Sequence, residues 1–350
     1  MPPTRRALLQ SLVAGPILLS ATQATTATAA MPGPATARRR VIIDTDTATD
    51  DALALLLAVN APNLSIEAIT IVVGNVEFDQ EARNALYTLQ AAGYGGRYPV
   101  YKGTARPIVR ETHTTATWIH GHDGMSDADF PPPEQRPEQE NAVDAIIRLV
   151  RRYPGEITIV AIGALTNVAL AILRDPELPK LLAGIVFMGG YRYFHGNVTP
   201  AATYNIWVDP EAARIVFHSG ARITTVGFDV SVQASIFTDA DYDRVIDLHT
   251  QLGNFFIRIN RIRRAYCKEH QKMAGSNHPD AITMAYVIDP AIATELIERP
   301  VDIETQGELT RGMMLVDELG STGKPPNVTL CVRADEARFK AMVFAALQTR

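Results

Sequence analysis

Cysteine is nearly absent: Cys267 and Cys331 are the only two in 350 residues. Two thiols cannot make a disulfide framework, and their spacing fits no metal site. They are two free buried thiols or one pair. Charge of one sign is also scarce, since 33 Lys and Arg against 38 Asp and Glu leave a net −5. That balance gives no reason to expect nucleic acid or an anionic membrane as partner. Long apolar runs are missing too. The nearest candidate, LLQSLVAGPILL, is short and is interrupted by Gly15 and Pro16, which excludes a stable membrane span.

That same stretch reads as part of an export signal. Arg5 and Arg6 precede the apolar run, and ATQATTATAA follows it with small-residue cleavage choices near 29–30. Residues 1–30 are therefore expected to be a signal peptide. The paired arginines, with Thr4 before them and Leu8-Leu9 after, suggest the twin-arginine type. The protein is expected to be exported, to a bacterial periplasm or beyond, with residues 31–40 as a linker. No membrane contact is expected after cleavage.

From residue 41 onward, strand-like and helix-like segments alternate. RVIID, ITIVVGN, PVYKG, EITIVAIG, AGIVFMGG and ARITTVGFD read as strands, with helical patterns between them. A long helical region covers roughly 239–272, and VDIETQ, RGMMLVDEL and PNVTLCV read as late strands. This predicts one α/β domain over 41–350, with a mostly parallel, doubly wound, Rossmann-like sheet. Two long loops, 103–138 and the one after Gly190, break the rhythm and suit an active site. In such sheets ligands bind beyond the carboxyl ends of the strands. The unusual sequences DTDTATDD, VVGN, AIGALTN, MGGYRYFHGN and GFD all sit at those ends.

The first of these is the most informative. IIDTDTATDD places Asp44, Asp46, Asp50 and Asp51 within eight positions. One Asp can cap a helix, but four exceed any capping need and repel one another unless neutralised. Oxygen donors without Cys or His point to a hard divalent ion, Ca²⁺ or Mg²⁺. An EF-hand loop is excluded, because its sixth position is Thr49 rather than Gly and its twelfth is Leu55 rather than Glu. An aspartyl-phosphate phosphatase fits poorly, because the fifth motif position is Ala48.

The stretch resembles the Asp-x-Asp-x-x-x-Asp-Asp motif of the inosine–uridine-preferring nucleoside hydrolases. AIGALTNVALAI, FMGG with GNVTPAATYNIWVDPEAARIVF, IHGHDGM, PDAITMAYVIDP and RGMMLVDELGSTGKPPNV resemble later segments of that family, in order. The resemblance implies cleavage of the N-glycosidic bond of ribonucleosides, one Ca²⁺, and a dimer or tetramer. By motif position it implies Asp46, Asp51, Asp280 and the carbonyl of Ile162 as metal ligands. Asp44 would orient them, and Asp50 would be the general base that takes a proton from the attacking water. Asn75, Asn197 and Asn205 would hold ribose hydroxyls, Asp280 would also touch the sugar, and Tyr204 and Trp118 would meet the base.

Three departures from the family pattern stand out. Thr47-Ala48 replaces its Pro-Gly. Thr203 replaces the Glu that grips the 5′-hydroxyl, so 5′ recognition is altered. Pro279 stands where the best-known members carry the histidine that protonates the leaving base. His278 lies one residue earlier, turned by ~100° if helical. His120 is therefore the expected acid, with His122 and Tyr191 behind it. A non-catalytic nucleoside- or sugar-binding protein on the same scaffold is the second reading. It gives no reason for a water-activating carboxylate.

Overall fold

The computed structural model describes residues 38–193 and 196–348. The expected signal peptide and most of the expected linker lie outside them. Among the described residues, no helix is long and apolar enough to cross a membrane.

The main sheet has eight strands: β1 (Arg39–Thr45), β2 (Leu64–Ile71), β3 (Val100–Lys102), β4 (Ile157–Ala161), β5 (Gly184–Met188), β6 (Ile223–Val226), β7 (Ala293–Arg299) and β8 (Val328–Ala334). Their order is β3-β2-β1-β4-β5-β6-β8-β7. Every pairing is parallel except that between β7 and β8. The chain winds outward from β1 in one direction through β2 and β3. It returns to the other side of β1 with β4. The crevice beyond β1 and β4 is thus the switch point at which such sheets bind ligands.

Both faces of the sheet are covered, which explains its near-continuous apolar strands. Val41 and Ile43 enter one hydrophobic core while Ile42, pointing the other way, enters the second. The helix Thr49–Asn60 follows β1 directly, and its run Ala52–Val59 is wholly buried. It packs against the helix Pro279–Ile288. That packing brings Asp280 to the aspartates after β1 across more than two hundred residues of chain.

Two sequence expectations needed revision. The region 239–272 is three helices, Asp239–Asp247, Gln251–Ile259 and Arg261–Glu269. His249 takes a left-handed φ of 53°, and Thr250 then caps the next helix by accepting from Gly253 N. VDIETQ and RGMMLVDEL pair with each other, Val301–Ile303 against Met314–Val316, outside the main sheet. The strand actually added at the edge is β7, ATELIER. Its exposed glutamates disguise it, as charge on an edge strand does. Cys267 and Cys331 are both free and buried.

Candidate active site

The floor of the site is built where β1 ends. Asp44 is its keystone. Its Oδ1 accepts from Thr70 Oγ1 at 2.6 Å and Asn167 Nδ2 at 2.8 Å. Its backbone carbonyl accepts from the N–H of Ile162 at 2.8 Å, which fixes the turn after β4. Asn167, the Asn of the GALTN segment, also donates to Ile71 O and accepts from Thr104 N and Oγ1. One buried amide thus ties β1, β2 and the start of the long loop together.

Asp46 is 1% exposed, and neither carboxylate oxygen has a hydrogen-bond partner. It lies between two glycines that must be glycines. A Cβ on Gly74 would collide with its carboxylate, and one on Gly163 would stand 2.8 Å from its Oδ1. Asp51 is held differently. Thr45 Oγ1 donates to it at 2.6 Å, Ala48 N at 3.0 Å and Asn75 Nδ2 at 3.3 Å. Asp50 pairs with Arg263 Nη2 at 3.1 Å through Oδ2, and its Oδ1 has no hydrogen-bond partner. Asp280 comes from the first turn of its helix. Ligand atoms of Asp50, Asp51 and Asp280 lie within 4.8 Å of one another.

The electrostatics follow from this crowding. Burial, then Asp51 and Glu81, hold Asp46 well above the usual carboxylate range. Burial, then Asp50, do the same to Asp280 and push Asp51 up to about 7. Asp50 is the exception. Burial pushes it up, but Arg263 and His120 outweigh burial and leave it low. Asp280 shares a hydrogen bond with Asp50, and that contact favours a proton on Asp280. Buried carboxylates this close take up protons or a cation. The donor-free oxygens of Asp46 and the all-oxygen donor set fit a hard divalent ion.

Above the floor is a cavity whose lining includes Asp50, Asp280, Trp118, Tyr204, Arg263 and Tyr266. Carboxylates, amides and aromatic side chains in one lining suit a polar sugar joined to a flat ring.

Residues 41–341 match the family model for the inosine–uridine preferring nucleoside hydrolases. The chain belongs to that family. A hydrolase of the same name from Leishmania major is 38% identical over 89% of this chain and 98% of its own. A pyrimidine-specific ribonucleoside hydrolase from Salmonella paratyphi B is 37% identical, over 88% and 98% respectively. The solved purine-preferring ribonucleoside hydrolase from Gardnerella vaginalis superposes with a TM-score of 0.82 at 30% identity, covering 89% of this chain and all of its own. This nucleoside hydrolase is therefore an enzyme, acting on the N-glycosyl bond of nucleosides.

The hydrolase brings most of its sequence-expected residues together. Asp50, Asn75, His120, Ile162, Asn197, Tyr204, Asn205 and Asp280 all line the cavity. The amides are already oriented. Asn75 Nδ2 donates to Asp46 O at 3.1 Å, and Asn205 Nδ2 donates to the carbonyls of Ile162 at 2.7 Å and Met188 at 3.0 Å. An amide that donates through Nδ2 can still accept through its oxygen, and a carbonyl that accepts one bond has a second lone pair. Asn197 accepts Tyr204 N–H at 2.8 Å.

Thr203 does not join them. It is 1% exposed and its Oγ1 accepts from Gly190 N at 2.9 Å, so it closes the loop after β5 rather than facing the cavity. A side chain as short as threonine is consumed by that turn. The expected acids divide likewise. His278 is sealed behind the floor, with Nε2 at 3.1 Å from Ser276 Oγ and its ring edge-on to Phe237. Tyr191 donates to Ala201 O, and His122 is exposed. His120 does reach the cavity, with Nδ1 at 2.8 Å from Thr49 Oγ1. Burial pulls its imidazole down to about 4, so at neutral pH it carries no spare proton.

Arg263, Tyr266, Gln271 and Asn277 line the cavity without having been expected there. They come from RIRRAYCKEH and the turn after it, which as sequence is a solvated charge run. On that helix Arg263 and Cys267, one helical turn apart, are the two buried positions.

Proposed function

We propose that this enzyme releases free base and ribose from ribonucleosides with Ca²⁺ as its cofactor. The observation that carries the reading is the cluster of buried carboxylates at the sheet's switch point, Asp50, Asp51 and Asp280, beside a cavity that aromatic rings also line. Asp51, Asp280 and the Ile162 carbonyl are the ion's ligands. Bound there, a hard divalent ion neutralises the cluster and makes a nearby water more acidic.

The chain's own residues do the rest. Asn75, Asn205 and Asp280 hold the ribose hydroxyls, which sets C1′ over the floor. Water attacks C1′ as a carboxylate takes its proton. The sugar becomes cationic in the transition state, and the surrounding carboxylates stabilise it. The family resemblance, by motif position, implies Asp50 as base and Asp46 as ion ligand. The pairing of Asp50 with Arg263 supports moving the base role to Asp46. A carboxylate held low by a guanidinium is a poor proton acceptor, whereas Asp46 has no donor to satisfy it. We therefore assign the base to Asp46, and to Asp50 the contacts with Arg263 and the sugar.

Export through the segment around Arg5-Arg6 and assembly as a dimer or tetramer belong to the same proposal. They rest on the sequence alone. The relatives' names span purine and pyrimidine preference, so the base specificity is a property of the wall described below.

The test is a reducing-sugar assay over purine, pyrimidine and modified ribosides, with and without a chelator. Ribose and base should appear in equal amounts, stop with chelator and resume with Ca²⁺. Tight nucleoside binding without any ribose would instead establish the binding-only reading, and phosphate release from phosphoesters would establish a phosphatase.

A further inference from the structure

Arg263 has no task in the reaction so far beyond holding Asp50. It is 3% exposed, yet it lines the cavity. Its Nε donates to Asn277 O at 2.9 Å, and its Nη2 meets Asp50 Oδ2 at 3.1 Å and Asn277 Oδ1 at 3.4 Å. Nη1 makes no hydrogen bond to the described residues. The guanidinium is therefore fixed in place with one NH₂ group to spare. Arg263 is also the only Arg or Lys among the described lining residues. A guanidinium stays charged at every working pH.

Its position matters as much as its charge. Arg263 and Tyr266 lie three residues apart on the helix Arg261–Glu269, on one face. Arg263 touches the carboxylate floor, while Tyr266 accepts a hydrogen bond from Trp118. The guanidinium thus touches the carboxylates and shares the cavity lining with Tyr266 and Trp118. Two other candidates for helping the base leave are at least partly engaged. Tyr204 Oη is within 2.8 Å of the carbonyls of both Gly74 and Thr114, and His120 Nδ1 is engaged by Thr49.

We infer that Arg263 is a catalytic residue that stabilises the departing base as its anion, in place of a proton donor. This rests on the hydrolase reading and deepens it. The water oxygen bonds to C1′ as the C1′–N bond breaks, and the electron pair of that bond leaves with the base. The water's proton goes to the floor carboxylate and from there to solvent. The base takes its proton from solvent after release, and Arg263 keeps its own. Bases with a more acidic N–H are therefore the preferred leaving groups.

The experiment compares wild type, Arg263→Gln and Arg263→Lys, all loaded with Ca²⁺, on uridine, inosine and p-nitrophenyl β-ribofuranoside. Nitrophenolate leaves without help. Arg263→Gln should lose on the order of 100-fold in kcat on the nucleosides, the size expected for one preorganised donor, and markedly less on the aryl riboside. Arg263→Lys should recover part of the loss. Equal losses on both substrate classes, or no loss, would overturn the assignment. If neither variant folds, wild type decides: 5-fluorouridine should turn over faster than uridine, and equal rates would sink the idea. Failure of wild type on every riboside would instead refute the hydrolase reading itself.

Discussion

The carboxylate floor hangs on the ends of β1, β2 and β4, where Asp44, Asn167 and Gly163 lock it from three sides. The wall opposite comes from the short helix Thr117–His120 and the helix Arg261–Glu269, which pack on each other. The floor admits almost no substitution, since even a methyl group at Gly74 meets Asp46. The wall is assembled from side chains on separate elements, and each can be exchanged without moving a strand. On the proposed mechanism, the half that activates water is closely packed around glycines and the half that releases the base is assembled from two helices.

Breaking the floor should cost most. Asp280→Asn should lower turnover on the order of 1,000-fold, because a lost ligand forfeits several kcal/mol of charge stabilisation. Calorimetric Ca²⁺ titration should show the affinity falling with it. If Asp280→Asn keeps both the ion and the activity, the floor does not hold the ion.

Protonation should weaken the floor more gently. Asp51 is raised to about 7 in the folded protein, by burial and then Asp50, above its ordinary value near 3.8. The folded, ion-free protein therefore binds the extra proton between those values, and this contribution to its stability is lost as pH rises through about 7. The ion must displace that proton. Its affinity should fall by about tenfold per pH unit for each proton displaced as pH drops below 7, measured by Ca²⁺ titration at several pH values. A flat profile would mean that the cluster is already ionised.

Thr203→Val should do least. The hydroxyl holds Gly190 N, so the change should cost about 1 kcal/mol of stability and leave KM for ribosides with or without a 5′-hydroxyl in the same ratio. Thermal melting and a pair of KM values check this. A changed ratio would put Thr203 back among the substrate contacts.

The same contrast governs what could be read from the sequence. The floor is legible because strand ends hold their residues at fixed spacing. DTDTATDD, GALTN and HPDA each mark one corner, and the switch point follows from the strand–helix alternation. The wall is not, because its members depend on which face a helix turns inward. Arg263 lies between Arg261 and Arg264, and nothing in that run marks it as the buried one. Thr203 sits at a matching motif position but is one bond too short to leave its turn. His120 was legible as a cavity residue, while the burial that keeps it neutral was not. On the proposed assignment it is Arg263, more than two hundred residues away in sequence, that distinguishes Asp50 from Asp46.

One comparison reaches the centre of this account: kcat of ion-loaded Asp46→Asn and Asp50→Asn on uridine and on p-nitrophenyl β-ribofuranoside. Asp46→Asn should remain folded and lose roughly 100-fold or more on both substrates, as removal of a general base requires, and Asp50→Asn should lose less on the aryl riboside than on uridine. Full activity of Asp46→Asn on either substrate, with Asp50→Asn inactive on both, would contradict it and return the base to Asp50.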